Sequence, residues 1–232
     1  MRLPGICVAA WLLFTASVVH AGSEAAPGAP VDLRDSPVVL AGDPRAGADK
    51  AGTCQACHGE AGHSVVPSFP ALAGLPQSYL YFQLEEYKSG RRIDPVMSAQ
   101  AQGLSEQDML DLAAYFSTQG AKPLEASAED QVIDRGREIY AQGDSKQGIP
   151  PCQGCHGADG RGPRPQTANT RTPWHSFPSL AGQQSAYVLS QLKAFKSGTR
   201  DSNSNARVMQ GVVHGMDEAT MQALAEYVKT LP

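Results

Sequence analysis

The pentapeptide Cys-x-x-Cys-His occurs twice in this 232-residue chain, at Cys54–His58 and Cys152–His156, each time with glycine directly behind the histidine. On a helix this spacing gathers two thiols and an imidazole within about one and a half turns, so the remaining elements must fold around whatever those groups bind. Three chemistries use such a pattern: a zinc half-site, a redox dithiol and a covalent attachment site for haem c. Two Cys-x-x-Cys pairs could close one tetrahedral zinc site, but here they stand 98 residues apart and each carries its own histidine. A thioredoxin-like dithiol requires a βαβ setting, and no strand pattern is present. Haem uses every residue: the two thiols add to the porphyrin vinyl groups and the adjacent histidine reaches the iron. His58 and His156 are therefore the expected proximal ligands, with Cys54, Cys57, Cys152 and Cys155 as the attachment points of two covalently bound haem c groups.

The chain also repeats itself once. Phe69–Arg92 aligns with Phe177–Arg200 at an offset of 108, and Val96-Met97 aligns with Val208-Met209 at 112. The second half thus carries ten extra residues after its motif, in the segment Arg161–His175, and four more near Asp201–Ala206. Both additions have the composition of surface loops. A single duplication at this period implies two similar domains, not a solenoid. Their expected limits are 38–120 and 131–232, with 121–130 as the connector.

Helical periodicity supports an all-α class. Ser105 with Asp108 three residues on forms a capping-box signature. Met109, Leu112, Ala113 and Phe116 then recur on one helical face. Asp217 with Met221, Leu224, Ala225 and Val228 repeats the arrangement. Each half begins with a short helix carrying a glycine, Gly47 or Gly136, where another helix could approach closely. Middle helices are expected over Ser78–Lys88 and Ser185–Lys196. Units of this size build modest cores and would gain from a large apolar group at their centre.

The second axial position on each iron calls for methionine or histidine. Met109, Met216 and Met221 occupy terminal-helix or staple positions and read as packing. Met97 and Met209 match each other, follow valine, and are expected in the loop before the last helix, which singles them out as ligands. His63, His175 and His214 have no counterparts in the repeat, and His214 is the weaker competitor for the second iron. Pro70 and Pro178 occupy equivalent Phe-Pro turns. A carbonyl from this turn could accept the other ring N–H of the proximal histidine, or the turn could simply be rigid.

Residues 1–21 read as a signal peptide: Arg2, an apolar run from Ile6 to Val19, and small residues at Val19 and Ala21. Fourteen apolar residues are short for a membrane span, which needs about 20. No transmembrane span is expected after cleavage, and the periplasm is the expected location. The fifth cysteine, Cys7, lies in this segment, so the other four cysteines are those of the two motifs. Residues 38–120 hold five basic and nine acidic side chains, against eleven and ten in 128–232. This balance argues against nucleic acid as a partner and permits oriented docking on charged proteins.

With CQACH, FPALAG, VM and LSEQDMLDLAAYF in the first half, and CQGCH, FPSLAG, VMQGV and the terminal helix in the second, the chain resembles the class I cytochromes c, specifically the di-haem cytochrome c4 family. The resemblance runs from about Gly42 to Leu231. It implies two tandem class I domains, each wrapped around one covalent haem. It also implies the axial pairs His58/Met97 and His156/Met209, with the Pro70 and Pro178 carbonyls accepting from the histidines. The domains would pack about a pseudo-twofold axis with the haem propionates near the interface. The implied role is single-electron transfer in the periplasm. The donor would be a membrane quinol-oxidising complex or a dehydrogenase, and the acceptor a terminal oxidase. An alternative is the haem subunit of a flavin-dependent sulfide- or alcohol-oxidising complex. An enzyme with an open iron is disfavoured, because each half supplies a methionine. The enlarged Arg161–His175 loop, with Trp174, departs from the family pattern.

Overall fold

The computed structural model describes Asp32, residues 41–162 and residues 177–232. The expected signal segment lies outside the described residues, as does most of the Arg161–His175 insertion, including Trp174 and His175. Among the described residues the structure is helical, and its only extended pairing is an isolated bridge between Asp144 and Ile149. No helix among them is long and apolar enough to cross a membrane. The first half contains α1 (Pro44–Lys50), α2 (Gly52–His58), a 3₁₀ turn (Glu60–Gly62), α3 (Gln77–Lys88), α4 (Pro95–Gln102) and α5 (Glu106–Ser117). The second contains α6 (Asp130–Gln142), α7 (Gln153–His156), α8 (Ser185–Ser197), α9 (Ser204–Val213) and α10 (Glu218–Thr230).

Each half is organised by its first and last helices, α1 on α5 and α6 on α10. The glycines expected to permit close approach do so. A Cβ on Gly47 would lie 2.1 Å from the Asp111 carbonyl oxygen, and one on Gly136 would lie 2.1 Å from that of Ala223. The terminal helices start as the sequence predicts. Ser105 and Asp108 form a reciprocal capping box, and the Asp217 side chain accepts from the Thr220 N–H. Their predicted apolar faces, Met109 to Phe116 and Met221 to Val228, are buried, and Met216 is buried with them. The middle helices α3 and α8 pack on α5 and α10 and carry α4 and α9 on their flanks.

One local expectation needs correction. The segments bearing Met97 and Met209 are helices, not loops. Asp94 caps α4 by accepting from the Val96 and Met97 N–H groups at 3.0 and 2.9 Å, and Pro95 takes the first helical position, where its missing N–H costs nothing. Asn203 caps α9 by accepting from the Ala206 N–H at 2.8 Å. The connector, for its part, is fastened to the second half. The Leu124 N–H donates to the Lys229 carbonyl at 3.0 Å, the Ser127 hydroxyl donates to Glu226 at 2.7 Å, and α6 starts at Asp130.

The halves meet across a local twofold. Arg92 donates to Gln191 at 2.8 Å and to Tyr187 at 3.3 Å, while its repeat mate Arg200 donates to Gln83 at 2.9 Å and Tyr79 at 3.0 Å. Each arginine also bonds the glutamine of its own half and lies over an aromatic ring of its own half, Tyr87 or Phe195, at 4.7 and 4.5 Å. Contacts without a mirror copy are added from the second half: the Gln183 side chain bridges the Ala71 N–H and carbonyl, and Gln184 donates to the Ser64 carbonyl at 2.6 Å.

The α1–α5 contact differs from α6–α10 in polarity. Asp111 accepts from Lys50 at 2.7 Å, from the Asp43 N–H at 2.9 Å and from Gln107 at 2.8 Å. The corresponding second-half residues are Ile139 and Ala223, both buried. The Lys50 ammonium, with the two N–H donors, holds the Asp111 carboxyl at about 2.

Two outcomes follow. Gly136→Ala forces a methyl into the Ala223 backbone and is expected to cost about 1–3 kcal/mol or more, measured by urea unfolding. A depressed carboxyl pKa stabilises the fold above the ordinary carboxylate range near 4, and that stabilisation is lost as pH falls through about 2. The unfolding midpoint of the first half should therefore drop over this acid window, and Lys50→Met should flatten the drop.

Candidate functional site

Each Cys-x-x-Cys-His motif lies on a short helix that ends at its histidine. Gly59 and Gly157 terminate α2 and α7 at φ of 77° and 80°, in the region that side chains with a Cβ rarely adopt. A Cβ at Gly59 would also lie 2.1 Å from the His63 carbonyl oxygen. The glycine behind each histidine is thus what lets the chain turn back under it. The Phe-Pro turn then docks on that returning chain: the Leu72 N–H donates to the Gly62 carbonyl at 2.8 Å, and the Leu180 N–H donates to Gly160 at 2.6 Å.

This docking brings a proline carbonyl to each imidazole. His58 Nδ1 lies 2.8 Å from the Pro70 oxygen, and His156 Nδ1 lies 3.0 Å from that of Pro178. A carbonyl can only accept, so Nδ1 carries the proton and Nε2 presents its lone pair. Both histidines are buried, each with a phenylalanine ring, Phe69 or Phe177, centred 6.3 Å away. Burial lowers the pKa of both imidazoles, opposed by the bond to the proline carbonyl. The neutral form, the one that binds metals, is therefore favoured.

Both histidines line a cavity of about 800 Å³ that runs through the two halves. Cys54, Cys57, Cys152 and Cys155 line it, as do Pro70, Pro178, Met97 and Met209. Its walls are otherwise mainly apolar, with Leu75, Leu112 and Phe116 in one half and Leu192, Leu224 and Val228 in the other. His63 and His214 are not among its lining residues, and His214 is exposed. None of the four cysteines is paired in a disulfide. Burial raises the pKa of Cys54, and that of Cys152 to about 11. Among the described residues no three His, Cys, Asp or Glu side chains converge on a point. The donor set fits a macrocycle instead. It offers paired thiols, one neutral imidazole and one thioether sulfur per half on apolar walls, with the Arg92 and Arg200 cations lining the space where the halves meet.

The cytochrome c family model matches residues 46–120 and again 133–232. The chain belongs to the cytochrome c4 family. It is 36% identical to cytochrome c4 of Pseudomonas aeruginosa over 191 residues, covering 82% of this chain and 90% of that one. It is 34% identical over 186 residues to a thiosulfate dehydrogenase electron acceptor of Thiomonas intermedia, covering 79% and 80% of the two chains. The crystal structure of reduced cytochrome c4 from Pseudomonas stutzeri superposes with a TM-score of 0.74 at 34% identity, covering 83% of this chain and all of that one. The chain is thus a di-haem electron carrier, not an enzyme, with two covalently bound haem c groups.

Several residues of the site were not singled out from sequence. Tyr140 lines the cavity in the second half only and donates to the Gly157 carbonyl at 2.6 Å. Its first-half counterpart is Ala51. Arg92, Arg200, Gln83, Gln191, Tyr79 and Tyr187 all lie in the segment that repeats at offset 108. Their identity in both copies was a usable signal, because a polar residue kept at the same place on two helices has a shared partner to satisfy.

Proposed function

We propose that this protein carries single electrons in the periplasm, from a membrane quinol-oxidising complex or a dehydrogenase to a terminal oxidase. Residues 38–120 and 131–232 are its two redox units, joined by 121–130. In the first unit Cys54 and Cys57 attach the haem, and His58 and Met97 are the axial ligands. In the second the attachment points are Cys152 and Cys155, and the ligands are His156 and Met209. The carbonyls of Pro70 and Pro178 orient the histidines.

The observation that carries this reading is the duplicated placement, on one apolar cavity, of a buried carbonyl-bonded histidine and a helix-borne methionine. The haem supplies an iron that alternates between ferric and ferrous states. The protein's part would be to hold that iron through the His58 and His156 imidazoles and the Met97 and Met209 thioethers, within mainly apolar walls. Methionine on the far side raises the reduction potential, which suits delivery to an oxidase. Position 97 or 209 occupied by a thioether leaves no site for substrate.

A second reading draws on the resemblance to a thiosulfate dehydrogenase electron acceptor: the donor is a dehydrogenase that oxidises a sulfur compound, and the same two centres receive its electrons. The second reading shares every residue assignment with the first and narrows the donor to a dehydrogenase acting on a sulfur compound. Stopped-flow reduction by purified quinol-oxidising complex and by thiosulfate dehydrogenase separates them, since the physiological donor reduces the protein far faster. The excess of acidic side chains in residues 38–120 predicts that reduction through the first domain depends more steeply on salt than reduction through the second. Equal slopes for charge-reversed surface variants of the two domains would remove this expectation.

The ligand assignment has its own test. Met97→Ala and Met209→Ala should each abolish about half of the red-edge methionine–iron charge-transfer absorption of the oxidised protein, lower the potential of one haem and admit carbon monoxide to its reduced iron. Unchanged absorption and potential in either variant would reassign that ligand.

A further inference from the structure

The two halves depart from strict repetition at places that meet in space. Glu86 in α3 corresponds to Ala194 in α8, which has no polar side chain. The four-residue addition in the second half, for its part, supplies Ser202 and Asn203. In the structure the Glu86 carboxylate, 1% exposed, reaches across the interface to this addition. Its Oε2 accepts from the Ser202 hydroxyl at 2.9 Å and from Gln83 Nε2 at 3.0 Å, and its Oε1 accepts from Asn203 Nδ2. Asn203 spends its other amide atom on the N-cap of α9, the helix that carries Met209. In the first half the equivalent cap, Asp94, bonds only within its own turn in the contacts described: the Val96 and Met97 N–H groups donate to its carboxylate, and its own N–H donates to Ser98 Oγ.

We infer that Glu86 of the first domain is a positioning residue for the second haem: it fixes the Asn203 cap and with it the register and tilt of the helix that presents Met209. The inference rests on Met209 being the ligand. The physical ground is the cost of the alternative. A buried carboxylate must be satisfied by donors, and bonds to a charged acceptor are the stronger kind. Among the described residues, Glu86 finds its two cross-domain donors at the start of α9. Asn203 is itself buried, at 5% exposed, so water cannot easily replace the bond. Asn203 lines the cavity while Glu86 does not, so Glu86 acts through the cap and not on the haem. The contact has no mirror copy, because Ala194 offers α4 no polar side chain in return. The second haem's ligation thus depends on the docking of the first domain, and the first haem's does not depend on the second in this manner.

A donor–acceptor exchange tests this in the full-length haem-loaded protein. Met97→Ala serves as background, so that the remaining charge-transfer band reports the second haem alone. Asn203→Asp keeps a good N-cap but opposes a carboxylate to Glu86. Glu86→Gln combined with Asn203→Asp restores a donor–acceptor pair with the direction reversed. The residual band is expected to fall by about half or more in Asn203→Asp, with carbon monoxide binding appearing, and to recover in the double variant. Glu86→Ala, which keeps Asn203 in the chain but removes the carboxylate that holds it, should reproduce the loss should Asn203→Asp fold poorly. An undiminished band in Glu86→Ala, or failure of the double variant to recover while circular dichroism shows intact helices, would overturn the assignment. A residual band that survives Met209→Ala would instead refute the ligand reading beneath it.

Discussion

The bond between a proximal histidine and the carbonyl of a Phe-Pro turn is where the parts of each half converge. To form it, the chain must reverse at the glycine behind the histidine, and the Phe-Pro turn must dock on the returning strand of backbone. The terminal helix must also close over both. The bond fixes the tautomer, leaves Nε2 free and offsets part of the cost of burying an imidazole. The 2.8 and 3.0 Å separations in the two halves come from the same backbone path, although α2 has seven residues and α7 only four. Everything that distinguishes the two halves is therefore added around a shared geometry.

The interface is built by duplication and then modified. Arginine, glutamine and tyrosine on α3 and the following turn meet their own repeats on α8 in a self-complementary set, as an isologous dimer contact would. Arg92 is buried and Arg200 half-buried, and each spends its donors on its own half and on the other. Onto this symmetric base the second half adds Gln183 and Gln184, and the first adds Glu86. These later contacts differentiate two centres that began as copies.

Much of this was legible in the sequence, and the reasons differ by residue. The capping box at Ser105, the glycines at 47 and 136 and the apolar faces of α5 and α10 are local patterns, and local patterns determine local structure. That Met97 and Met209 would line the same cavity as the two Cys-x-x-Cys-His motifs was legible because duplication sets matched methionines apart from those on the terminal-helix faces. The helices α4 and α9 were misread as loops although Asp94-Pro95 is a start signal of the usual kind. At 8 and 10 residues, they are too short to show a clear period, and α9 also overlaps the polar addition of the second half. The bonds of Glu86 could not be read at all. A charged residue on a helix face looks solvated until its neighbours are known, and two of the three donors to this carboxylate lie more than 110 positions away.

The tether between the halves does more than connect them. Leu124 and Ser127 are tied to the C-terminal helix, and the carbonyl of Lys122 sits where a side chain at Gly182 would have to go. The slack that a ten-residue tether ordinarily offers is thereby consumed against one partner. The second lobe cannot be excised cleanly at the duplication boundary: a gene fragment starting at residue 131 would bare a polar strip along its last helix, whereas one starting near 121 would keep its own sheath.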